Sequence, residues 1–119
     1  MMRKLVTQLH KEVIEYFAST DPSQISHTEA VHNFAQLLSH LENYDEHRLC
    51  LIEMAALLHD IGCPNAQLKY GNTKAPNQEK EGELLASEML TEYPMEDKDK
   101  QLISEVVGLH HHHKSLQEM

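Results

Sequence analysis

The sequence predicts an all-α fold, a compact bundle of about five helices. Three observations predict it. Aromatic residues make up 5% of the chain and Trp is absent, so Leu, Ile, Val, Met and Ala must fill the interior, and most of these favour helices. Apolar residues recur at helical spacing in several segments. No segment alternates with period two, so no sheet is expected. The length of 119 residues suits one domain able to bury a core without disulfide staples, and residues 1–119 are read as a single domain.

The first helix is expected over about residues 3–18, where Leu5, Leu9, Val13 and Phe17 share a face. "STDPSQ" ends it. The second begins at Ser26, because "SHTE" has the Ser-x-x-Glu form of a capping box, and runs to about Glu42. The third spans about Asp45 to Ile61. A loop, "GCPNAQLKYGNTKAP", follows, and a loop that long in a small domain is often functional. The fourth helix covers about 78–92, and the fifth runs from about Asp97 into the histidines at 110–113.

Composition excludes several classes. A net charge of −9 argues against a nucleic-acid polymer as partner, because neutralising phosphates needs clustered Lys and Arg. Small phosphorylated ligands need only a local positive site. Cys50 and Cys63 do not make a disulfide framework. The N-terminus lacks a signal peptide's apolar centre, and no run approaches the ~18 apolar residues of a membrane span. A cytoplasmic location without a membrane partner is expected.

Ten histidines among 119 residues are the anomaly. At about 100° per residue, helical phase sorts them. In the second helix the stripe Val31, Phe34, Ala35, Leu38 and Leu41 is expected inside, with His27 one turn before it, and His32 and His40 outside. In the third, His59 continues the line of Ile52, Ala55 and Ala56, with Asp60 on the edge that carries Glu53. In the fifth, His110 extends the stripe of Ile103, Val106 and Val107, and His111 flanks it. His10, His32, His40, His47 and His112 are read as solvated surface. Three inward histidines beside a carboxylate suit a divalent transition metal (Mn, Fe, Co, Ni or Zn), and a cation would answer the cost of burying Asp60.

"HTEAVHNFA", then "AALLHDIG", then a helix ending in "LHHHH" together resemble the HD-domain metal-dependent phosphohydrolase superfamily. The likeness spans about residues 25–113. It implies an all-helical fold and cleavage of a phosphoester or phosphoanhydride bond, often in a nucleotide or other small phosphorylated metabolite. It implies His27, His59 and Asp60 as metal ligands for one or two ions. His110 or His111 matches a further ligand of the binuclear branch, or protonates the leaving oxygen, and Asp60 would also guide the attacking water. The family's intervening histidine is replaced in "NQEKEGELL", where Gln78 and Glu81 share the face of Leu85 and Met89 and are expected inside: Glu81 as an oxygen ligand or a group that positions a water, Gln78 as a hydrogen-bonding or weakly ligating group, and both as candidate substrate contacts. Lys69 and Lys74 are candidate partners for substrate phosphate.

The family's final Asp lies beyond the histidine run. Here six residues follow His113 and none is Asp, so either the chain is shortened relative to a complete member or its metal site is completed by water or another group. That shortening would expose Val and Leu on the fifth helix and favour a homo-oligomer. The absent Asp keeps one rival in play, a metal-binding domain with weak or no activity and a regulatory or assembly role, and weighs against the third reading, a di-iron oxygenase, which needs nearly all the ligands.

Overall fold

Six α-helices make up the architecture of residues 2–108, the part of the chain that the computed structural model describes. They are α1 (Met2–Thr20), α2 (Gln24–Leu41), α3 (Glu46–Leu58), α4 (Cys63–Tyr70), α5 (Ala75–Leu90) and α6 (Asp97–Val107). No strand occurs among the described residues. The helices form two compact units, one ending at Leu58 and the other beginning at His59. Among the described residues no helix is long and apolar enough to cross a membrane. His110 and His111 lie outside the described residues.

In the first unit α3 packs against both α1 and α2. The predicted stripe of α1 is buried as Leu5, Leu9, Val13 and Phe17, joined by Val6. From α3 come Leu49, Cys50, Met54, Leu57 and Leu58. Burying each of the larger side chains contributes roughly 2 kcal/mol. Asp45 starts α3: its Oδ1 accepts a hydrogen bond from the Arg48 amide at 2.8 Å, satisfying a donor that the first turn leaves open.

α2 is turned the opposite way from the sequence expectation. Its buried residues are Thr28, His32 and Ser39, whereas Phe34 is 61% exposed and Leu41 70%. The cause lies on the neighbouring helices. Glu53 of α3 is buried, and a buried carboxylate needs donors. α2 supplies His32 Nε2 at 2.8 Å and Gln36 Nε2 at 3.0 Å, both to Glu53 Oε1, and α1 supplies Arg3 Nη2 to Oε2 at 2.7 Å. His32 is therefore no solvated residue. Neither is His10, which is half-buried, pairs with Glu29 and meets the His32 ring edge-on. The predicted capping box is also displaced. α2 starts a turn earlier, after Ser23, whose hydroxyl donates to Asp21, and Ser26 lies inside the helix.

In the second unit α5 packs against α4 and α6. α4 occupies the stretch expected to be a loop. Pro64 sits in its first turn and Gly71 closes it at φ 71°, donating its N–H to Gln67 O. Pro tolerates the start of a helix because it lacks a donor that would go unused, and Gly tolerates the left-handed end. Gly62 and Gly82 let two stretches of backbone meet. A Cβ built on Gly62 would lie 2.1 Å from Gln78 O and 2.3 Å from the Gly82 N.

Candidate metal centre

His59 and Asp60 stand in the turn between α3 and α4, not in the last turn of α3 as their helical phase suggested. The turn is closed by the Cys63 amide donating to Asp60 O at 3.1 Å. Its Ile61 is wholly buried, so an apolar anchor sits directly after the polar pair. Gly62 has no Cβ, and that allows α5 to approach the turn. The string "HDIG" thus reads as two polar residues, an anchor and a close-approach point.

The two polar side chains are turned toward each other. His59 Nε2 lies 2.9 Å from Asp60 Oδ2, and both side chains reach solvent, at 24% and 19% exposure. Two donors each ~2.1 Å from one cation, at right angles, would stand roughly 3.0 Å apart. The pair therefore has the spacing of adjacent ligands on a single ion. It also suits a hydrogen bond from a protonated Nε2.

The other oxygen of Asp60 is engaged from α5. Gln78 Nε2 donates to Asp60 Oδ1 at 2.7 Å and to His59 O at 3.3 Å. One turn on, Glu81 is buried. It accepts from Lys69 Nζ at 2.9 Å and from Tyr70 Oη at 3.2 Å. The Lys69 ammonium holds the Glu81 carboxyl below its usual range, aided by the Tyr70 hydroxyl, and Glu81 in turn raises the Lys69 amine. Lys69 is anchored by this pairing with more than half of its side chain exposed. Lys74 is exposed, and its amide donates to Asn72 Oδ1.

Among the residues singled out in the sequence, the second unit thus gathers His59, Asp60 and Gln78, and beside them along α5 Glu81 with Lys69. His27 belongs to the first unit, exposed on α2. Its apolar companions Phe34, Leu38 and Leu41 are exposed too, so the helical face was correctly grouped and wrongly placed inside. Sequence reasoning missed the buried Glu53 with its partners His32, Arg3 and Gln36. The one available signal was a glutamate standing within the apolar run "LIEMAALL".

The comparison with protein families bears on this arrangement. Residues 25–119 match the family model of the HD domain. The all-helical fold agrees with it, and the chain belongs to the HD-domain family, whose members are in general metal-dependent hydrolases. Searches of curated proteins and of solved structures returned no match.

Proposed function

We propose that this chain is a metal-dependent phosphohydrolase acting on a small phosphorylated molecule, with nucleotides the leading class. The observation that carries the reading is the His59–Asp60 pair. Its donor atoms are 2.9 Å apart and open to solvent, in a chain of the HD-domain family. His59 and Asp60 would hold a divalent transition metal, with His27 as the third ligand that the family resemblance implies, two imidazoles and a carboxylate being a suitable donor set. Bound there, such a cation lowers the pKa of a water toward about 7 and polarises a phosphoryl oxygen.

The remaining work falls to side chains. Asp60 orients the attacking water. Lys69, fixed by Glu81 and Tyr70, offers its ammonium to the substrate's phosphate, with Lys74 nearby in sequence. His110 or His111 delivers a proton to the leaving oxygen.

The test compares the protein with Asp60→Ala and His32→Ala. Each is loaded in turn with manganese, iron, cobalt, nickel and zinc, and assayed on an aryl phosphate and on nucleoside phosphates. Asp60→Ala should lose at least 100-fold in metal affinity together with turnover. His32→Ala should keep both while losing about 2 kcal/mol of stability, because it empties a buried polar site. Metal bound tightly with no turnover of any ester would favour a regulatory domain. Equal metal affinity in Asp60→Ala and the parent would end the proposal.

A further inference from the structure

We infer that Gln78 is the positioning residue of the metal centre, fixing Asp60 as a ligand through Oδ2 alone. The inference rests on the metal reading given above.

Two neighbours decide which way the Gln78 amide points. Both groups facing it, Asp60 Oδ1 and His59 O, are acceptors, so the end toward them must be the NH₂. Its oxygen is left buried and without a hydrogen-bond partner. An orphaned buried amide oxygen carries its desolvation penalty with nothing to offset it. An apolar residue of the same length would avoid that cost, so the amide is a poor choice for packing and a good one for its donors.

Those donors have a specific effect. A free aspartate can rotate and offer either oxygen, or both, to a cation. With Oδ1 taken at 2.7 Å by Gln78, Oδ2 is the oxygen that faces His59 Nε2 at 2.9 Å. The second bond, to His59 O, ties the backbone of the same turn to α5. Gln78 is brought to the turn by close backbone packing, since a Cβ on residue 62 would stand only 2.1 Å from its carbonyl oxygen. The order of contacts runs from Gly62 to Gln78, then to Asp60 Oδ1, and turns Oδ2 toward His59 Nε2. Gln78 in this arrangement is neither a ligand nor a substrate contact.

Gln78→Met keeps the length, removes the donors and removes the orphaned oxygen. It should weaken Mn²⁺ binding about 10- to 100-fold, the usual effect of losing a ligand's hydrogen-bond partner. The visible spectrum of the Co²⁺-saturated protein should change as Asp60 gains freedom to bind through both oxygens. The thermal midpoint of the metal-free protein should stay level or rise, which a purely structural role for Gln78 would not give. Parent affinity and an unchanged Co²⁺ spectrum in Gln78→Met would overturn the inference.

A metal-free measurement separates it from the broader reading. In the parent protein the Gln78 side-chain NH₂ protons should exchange slowly with water, and Asp60→Ala should shift them. Slow exchange without any metal binding would refute the metal centre and leave the Gln78–Asp60 clamp standing. Exchange at the rate of a free glutamine would refute the clamp.

Discussion

Each unit sets a histidine against a carboxylate, and the two pairs are used differently. His32 and Glu53 meet at 2.8 Å with side-chain exposures of 7% and 1%. His59 and Asp60 meet at 2.9 Å with exposures of 24% and 19%. The separations are nearly equal, so distance does not distinguish them. Solvent access does. Glu53 accepts from His32 and Gln36 on one oxygen and is ion-paired to the Arg3 guanidinium through the other, and its carboxylate and the His32 ring are turned away from water. Asp60 takes an amide on one oxygen and faces an imidazole with the other, at a turn that solvent reaches. The first arrangement holds helices together. The second keeps donor atoms where a ligand can arrive.

Substitutions can break this contrast. The largest effect is expected from Glu53→Ala, which strands buried His32 together with Gln36 and Arg3. A loss of about 3–4 kcal/mol should appear in urea unfolding, against less than about 1 kcal/mol for Asp60→Ala. A similar small loss from both would mean that the buried pair is no more structural than the exposed one. Acid should select the same site. Burial pushes the Glu53 carboxyl up, but hydrogen bonds from Arg3 and His32 more than offset it and hold it below the ordinary 4.5. Its contribution is therefore complete above about pH 4.5 and drains away as pH falls through the lowered value. In Glu53→Ala this component of the acid loss should be missing from a pH series.

Gly62→Ala should come next, at about 3 kcal/mol, the upper end for overpacking. Its Cβ would meet Gln78 O and Gly82 N, which are backbone and cannot rotate aside. Thermal unfolding checks it, and a loss below about 1 kcal/mol would show that α5 yields easily. The smallest effect is expected from Phe34→Ser. At 61% exposure its loss should stay within about 0.5 kcal/mol. A drop of several kcal/mol would restore the sequence expectation that this face lies in the core.

Much of the fold was legible because it depends on local pattern. All four residues of the expected stripe in α1 are buried, with Val6 added, and α6 buries Ile103 and Val107 as their spacing implies, though Val106 is 42% exposed. α2 failed for a physical reason. The apolar stripe of a helix says which residues share a face, whereas the direction of that face depends on what neighbouring helices need. Here a buried Glu53 needed His32 and Gln36. α4 failed for another reason: its Pro and Gly were read as loop formers, although Pro in a first turn and Gly just past the last are also the marks of a short helix. At the site, "HDIG" was legible as a motif, and the residue type of Gln78 suggested hydrogen bonding. Its attachment to Asp60 was not legible, because only the meeting of α5 with the turn across Gly62 brings the two together.

The Arg3 anchor also bears on the order in which the chain folds. Arg3 donates to Glu46 across 43 positions of sequence, and Glu53 lies further on still. By contrast, the hydrogen bonds that tie α5 to the turn and to α4 span 18 and 12 positions. Closing a longer stretch of chain costs more entropy before any contact is gained, and distant contacts slow folding. The first turn of α1 therefore has to wait for α3 before it can be fastened. During synthesis it remains unclasped until more than forty residues have been made, while the contacts around Asp60 need only the next twenty or so.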